Sequence, residues 1–330
     1  MLFRSSRPLW VAVLCLALLA GIVPAQTPAM NGNDPAETIS VNVRVVNVFF
    51  NVRDKRGQFV PNLPKSEFRI AEDKVAQRIT YFSADPNAAL TIGLLVDTSP
   101  SQRKVLGYEQ QVGKNFLHDV LRPQDSAMIA EVDSAVRIIQ DFTSDQKALQ
   151  AAIDRVKTGE VAPGIKDPHA GNGQLRATIV RDAIHILAEQ KFERETGRKS
   201  LIILTDGQDF GSQLDIKEAI RAAQLGDVIC YVLLIQDPNY YFSVGYDEKL
   251  TGESEMKKLA KETGGKVIKV GAKIERLRAA FDLIANELRH HYSIGYVASN
   301  RALDGTFRHI AITTEHPYKI QVRQGYYAKP

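Results

Sequence analysis

The chain has little cysteine. Cys15 and Cys230 are the two it carries in 330 residues, which excludes a disulfide-rich scaffold. It has little net charge: 42 Lys and Arg against 38 Asp and Glu leave +4, too small an excess to point to nucleic acid. Long apolar runs are scarce. The run from Leu9 to Val23 falls short of the roughly 20 residues a membrane span needs, and no later run is longer. No P-loop and no strand-linked G-x-G-x-x-G is present for a nucleotide, and no G-x-S-x-G elbow for a serine hydrolase. What is there is an ordinary globular composition, 44% hydrophobic and 24% charged, which excludes disorder, collagen and a polytopic membrane protein. The length fits about two domains.

Arg4 and Arg7 precede the apolar run, and Pro24-Ala25-Gln26 follows it. A basic start, an apolar middle and a small residue at the end read as a secretory signal peptide over 1–25. The protein is then exported, to the periplasm or beyond, with an uncleaved N-terminal anchor as the alternative. Cys15 lies mid-run, away from any lipoprotein cleavage point. Cys230 sits within Val228 to Leu234 and reads as a small buried core residue. Residues 26–39 are polar and read as a flexible lead-in.

From 40 to 87 the pattern is all β. Val41, Val43 and Val45 alternate, then Val46, Val48, Phe50 and Val52; the phase slip between Val45 and Val46 suggests a bulge. Asp54 to Gly57 is a hairpin signal, and Glu72-Asp73-Lys74 marks a second turn. From 88 to 290 apolar runs alternate with helical patterns. Strands are expected near 90–96, 126–132, 135–140, 200–205, 228–235 and 266–269, and helices near 103–120, 145–157, 178–191, 214–225, 253–263 and 273–289. Continuous apolar runs suit strands buried on both faces, so the fold class is α/β: a doubly wound, mostly parallel sheet with helices on both faces. From 291 to 330 the helices stop and three strands are expected. Together with 40–87 they are expected to build a small all-β domain, an Ig-like sandwich, with the α/β domain inserted between its halves.

Chemistry concentrates at strand ends. Asp97-Thr98-Ser99-Pro100-Ser101 follows the first α/β strand. Alternate residues of this D-x-S-x-S turn bring a carboxylate and two hydroxyls toward one point, hard oxygen donors suited to Mg²⁺, Mn²⁺ or Ca²⁺. The same residues would also serve as a polar turn capping the next helix. Asp206 ends the apolar strand from Ser200 to Thr205, at the sheet edge where open α/β folds gather ligands. Thr178 opens a helical run, as a third element or a plain N-cap. A phosphotransferase of the aspartate-nucleophile type would want an acid where Ser99 stands. His290-His291 reads as a polar helix C-cap, Asp209 as a solvated loop acid or an outer neighbour of Asp206. The aromatic group Tyr240, Tyr241, Phe242 and Tyr246 reads as a partner-contact loop or as packing.

Asp97, Ser99 and Ser101, then Thr178, then Thr205-Asp206-Gly207 resemble the metal-ion-dependent adhesion site of von Willebrand factor A-type domains, with the order and approximate spacing matching over 88–290. The resemblance implies that Ser99 and Ser101 bind the metal directly, and Thr178, Asp97 and Asp206 directly or through water. A sixth position is left for an acidic side chain of a protein or peptide ligand. Val48 to Phe82, Glu262 to Gly265 and the ending through Gly325-Tyr326-Tyr327 are similar to a group of secreted bacterial "VWFA-related" proteins frequent in acidobacteria, so the resemblance covers nearly all of the mature chain. Two positions depart from the group's glycines: Arg176-Ala177 before Thr178, and Lys74 after Glu72-Asp73. The function implied is a non-enzymatic adhesion-type module with Mg²⁺ the foremost cation and no nucleic-acid partner. A metal-independent scaffold of the same fold is the alternative, and a Mg²⁺-assisted hydrolase a distant third.

Overall fold

A computed structural model describes residues 45–85, 88–158, 178–236, 252–271 and 273–329. The leader, the lead-in, Arg176-Ala177 and the aromatic loop around Tyr240 lie outside the described residues.

The α/β layer is built around β5 (Leu90–Asp97), every residue of which is buried. Alternate side chains of a strand point to opposite faces. Ile92, Leu94 and Val96 pack into one apolar cluster and Leu95 into another, so the strand must be apolar throughout. β6 (Ser126–Val132), β8 (Arg198–Thr205), β9 (Val228–Leu234) and β10 (Val267–Lys269) complete the parallel part, and β7 (Val136–Thr143) pairs antiparallel with β6 at the edge. The order is β10-β9-β8-β5-β6-β7. Helices α1 (Leu106–Val120), α2 (Gln146–Arg155) and α6 (Ile274–Arg289) cover one face; α3 (Val180–Gln190), α4 (Ile216–Leu225) and α5 (Gly252–Thr263) cover the other. The chain runs outward from β5 through β6 and β7, then returns to β8 on the other side of β5. That reversal makes the carboxyl ends of β5 and β8 the topological switch point, the ordinary ligand position of such sheets.

The two ends of the chain pair with each other. β1 (Val45–Arg53) runs antiparallel to β11 (His291–Val297) and to β13 (Lys319–Val322), and β4 (Ile79–Ser83) completes that sheet. A second sheet is made by β2 (Phe68–Glu72), β3 (Val75–Gln77), β12 (Phe307–Thr314) and β14 (Gly325–Tyr327). Both sheets feed one apolar core that includes Val48, Phe50, Phe68, Tyr292 and Ile310. Phe50 meets Phe68 edge-on at 5.2 Å between ring centroids, a favoured aromatic geometry.

The expected bulge at Val45–Val46 is not found. β1 keeps unbroken register with β11 from Val45–Val297 to Asn51–His291, with Val46, Val48, Phe50 and Val52 buried. The irregularity lies instead between β11 and β4, at Gly295–Tyr296. The Asp54 to Gly57 turn forms, with the Gly57 amide donating to the Asp54 carbonyl at 3.0 Å.

The turn between β2 and β3 places Asp73 at φ 47° and Lys74 at φ 70°. Both central residues are left-handed, as a type I′ hairpin requires, and glycine is the favoured second residue there. Replacing Lys74 by glycine removes a Cβ strain of about 1 kcal/mol. Lys74→Gly is expected to raise the unfolding free energy by about that amount, read as a higher urea midpoint with an unchanged m-value.

His290 and His291 part company. His290 is exposed and its Nδ1 lies 2.7 Å from the Asn286 carbonyl, as a C-cap does. His291 is no cap: it is buried at the start of β11, with Nδ1 2.9 Å from Arg198 Nη1. Arginine can only donate, so Nδ1 accepts and the ring is neutral. Burial first, then the Arg198 charge, hold its pKa well below the usual value of 6.5. Below that pH the unfolded chain takes up a proton that the folded chain refuses, so stability falls as pH drops, by up to about 1.4 kcal/mol per pH unit. Melting between neutral and mildly acid pH should show this loss, and His291→Gln should flatten the curve.

Candidate functional site

Asp97 is the last residue of β5 and is fully buried. Its Oδ1 accepts from the Ser99 amide at 2.9 Å and its Oδ2 from the Thr205 hydroxyl at 2.7 Å. Thr205 ends β8, so the two central strands are stitched together at their carboxyl ends. Ser99 Oγ and Ser101 Oγ are 2.9 Å apart, and Ser101 Oγ donates to Asp206 Oδ2 at 2.5 Å. The other Asp206 oxygen accepts from the Gln208 amide at 2.8 Å. The structure thus joins Asp97, Ser99, Ser101 and Asp206 in one hydrogen-bonded set.

The loop after Asp206 depends on glycine. Gly207 has φ 85°, and a Cβ placed on Gly252, which opens α5, would stand 1.5 Å from the Gly207 carbonyl oxygen. Only a residue without a Cβ lets α5 approach this turn so closely.

Thr178 stands on the neighbouring loop, buried, two residues before α3. It is not the N-cap, a position held by Ile179 without a side-chain bond. Backbone bonds fix it: the Phe210 amide donates to its carbonyl at 3.0 Å, and the Ile179 amide donates to the Asp133 carbonyl at 2.9 Å. Asp209 is not a solvated acid. Its side chain is 4% exposed and accepts from the Arg181 amide at 2.8 Å and from the Ser212 hydroxyl at 2.8 Å, tying this loop to the start of α3. Cys230 is free and buried, and burial pushes its thiol up to about 12, which removes it as a nucleophile.

The electrostatics are strained. Burial, then the charge of Asp206, raise the pKa of Asp97 above the ordinary carboxylate range, and the bonds from Ser99 and Thr205 work against that shift. The donors are carboxylate and hydroxyl oxygens, which suit a hard cation and not a thiolate-preferring one. Buried polar atoms without a partner among the described residues stand close by in the chain: Gln102 Oε1, beside Ser101, and Gln208 Nε2, beyond Asp206. The residues present therefore fit a divalent ion with water in its shell. Among the described residues no three His, Cys, Asp or Glu side chains converge to hold an ion by themselves, so an ion held here would draw on the serine hydroxyls as well.

A D-x-S-x-S turn at the switch point, with Asp206 beside it on the next strand, sits on a six-stranded sheet with one antiparallel edge. The strand order, with helices on both faces, is the doubly wound α/β sheet expected from the sequence. No family model matches the chain, and no curated protein matches it. Among solved structures, the chain is similar to von Willebrand factor type A from Catenulispora acidiphila, at 12% identity over 87% of this chain and 74% of that one, with TM-score 0.48. It is similar to the conserved hypothetical protein BatB from Bacteroides thetaiotaomicron, at 16% identity over 60% of this chain and 97% of that one, with TM-score 0.46. It is also similar to proximal thread matrix protein 1 of the mussel byssus with a zinc-occupied MIDAS motif, at 18% identity over 64% of this chain and 48% of that one, with TM-score 0.47. No helix among the described residues is long and apolar enough to cross a membrane.

The sequence pattern passed over Glu109. It lies on α1 among Leu106, Val112, Phe116 and Leu117, all buried. An acid on the apolar stripe of an amphipathic helix is the signal that marks it.

Thr205 tests the packing of the site. Thr205→Val keeps the shape, but leaves Asp97 without its Oδ2 donor and the Gly207 amide without its 3.0 Å acceptor. Urea unfolding in chelator is expected to show a loss of about 2 kcal/mol.

Proposed function

We propose that the chain is an exported binding module that takes a protein or peptide ligand through a divalent cation at the switch point of the α/β layer. Ser99 and Ser101 hold the ion through their hydroxyls. Asp206, Asp97 and Thr178 support it directly or through water. The carrying observation is the convergence of two acids and two hydroxyls, all oxygen donors, at the ends of β5 and β8. Magnesium fits best, because it is bound through one or two carboxylates and keeps several waters. When bound, the cation offers an electrophilic position for the acidic side chain of a ligand. The residues of the chain do the rest: Thr205 and the Ser99 amide orient Asp97, and the Gln208 amide orients Asp206. Export is supported by the leader pattern of Arg4, Arg7 and the apolar run to Val23.

One observation favours a metal-independent scaffold instead. The hydroxyls of Ser99 and Ser101 and the Asp206 carboxylate already satisfy one another. Titration separates the two readings. Mg²⁺, Mn²⁺ and Ca²⁺ are added to the chain and to Asp97→Ala, followed by calorimetry and by melting. Saturable binding is expected, with stability rising by about 2.7 kcal/mol once metal exceeds Kd a hundredfold, and both effects lost in the variant. No binding at millimolar metal, with identical behaviour of the variant, would leave the scaffold.

A further inference from the structure

Glu109 is a core residue that packing does not explain. It is 2% exposed, and neither carboxylate oxygen has a hydrogen-bond partner among the described residues. Leu106, Val112 and Phe116 on the same stripe of α1 show what the position would otherwise hold. A buried carboxylate without a partner costs several kcal/mol. Its place in the fold is specific. α1 follows directly on the Ser99–Ser101 loop, and Glu109 falls about two turns beyond Gln102, whose Nε2 is 3.4 Å from Ser101 Oγ. Burial is the first cause that raises its pKa well above the ordinary range, and the charges of Asp97 and Asp206 are the second and third. Asp97, Asp206 and Glu109 are all buried, and Glu109 stands in the first turn of the helix that follows the Ser99–Ser101 loop.

We propose that Glu109 is the third carboxylate of the cation site: a positioning residue that adds negative charge and accepts hydrogen bonds from water in the cation's shell. The inference rests on the reading of Asp97, Ser99, Ser101 and Asp206 as a cation site. In this role Glu109 acts on the ion through its water and not as a ligand. Its two open oxygens give bound water an acceptor that Asp97, already occupied by Ser99 and Thr205, does not. Without a cation the three acids repel one another. With one, that repulsion becomes attraction to a common centre, so Glu109 makes the folded chain depend on the ion.

The test uses the full chain, with Mg²⁺ alone as the probe, against Glu109→Gln and Asp97→Ala. Glu109→Gln keeps shape and removes charge. It is expected to melt higher than the parent in chelator, and to bind Mg²⁺ roughly tenfold or more weakly, the usual loss when an outer partner of a metal site is removed. A plain structural role moves the melting temperature alone, without moving the Mg²⁺ affinity. Mg²⁺ affinity unchanged in Glu109→Gln but abolished in Asp97→Ala would overturn the role of Glu109 and leave the cation site standing. Absence of Mg²⁺ binding in the parent would overturn both. Glu109→Met, of similar length and without charge, serves the same comparison if the glutamine variant does not fold.

Discussion

Two carboxyl groups are buried at the end of a parallel sheet, and the rest of the structure arranges itself around that constraint. Asp97 has no exposed surface, and its hydrogen-bond donors are an amide and a hydroxyl, neither of them charged. Such a group is stable only if its geometry is held firmly and its charge is offset. β5 holds it because the strand lies at the centre of the sheet, buried on both faces, between β6 and β8. β8 brings Thr205 to one oxygen and places Asp206 next along the chain. The chain reversal between β5 and β8 puts the switch point of the sheet there. Sheet order, helix placement and the acidic site are thus consequences of one topology.

The opposite end of the layer is closed by the paired chain ends. Glu287 near the end of α6 is fully buried, yet it accepts from Arg53 of β1 at 2.6 Å, from Lys266 at 2.5 Å and from Gln321 of β13 at 3.0 Å. Asn51 adds a bond to the Glu287 carbonyl at 3.2 Å. A buried ion pair adds little net stability, but it specifies one arrangement of its partners. Here it joins both β segments to the last helix of the α/β layer, within the compact unit that spans residues 43–330. Residues far apart in the chain meet at one carboxylate, so the junction is selective for this packing.

Much of this was legible in the residues. The apolar runs ending in Asp97 and Asp206 read correctly as strands buried on both faces, because burial on two sides leaves no room for alternation. The spacing of Ile274, Leu277, Phe281, Ile284 and Leu288, three and four residues apart, marks one face of α6, and the last four of them are buried. Other features depend on tertiary contacts that pattern does not record. The Val45–Val46 slip implied a bulge, yet β1 runs in register because His291 to Val297 fixes its pairing. His291 looked like a cap beside His290, but the chain turns into β11 between them. Asp209 looked solvated because loops usually are; the start of α3 covers it. Glu109 was hidden by its setting, one acid within an apolar helix face.

The most direct measurement is a crystal structure of the full chain grown with saturating Mn²⁺, with the ion located by its anomalous scattering. One peak is expected at the end of β5, bounded by the Ser99 and Ser101 hydroxyls and the Asp206 carboxylate, with the Ser101–Asp206 hydrogen bond opened to admit it. A map without a peak at that edge, and with Ser101 still bonded to Asp206, would contradict a cation site.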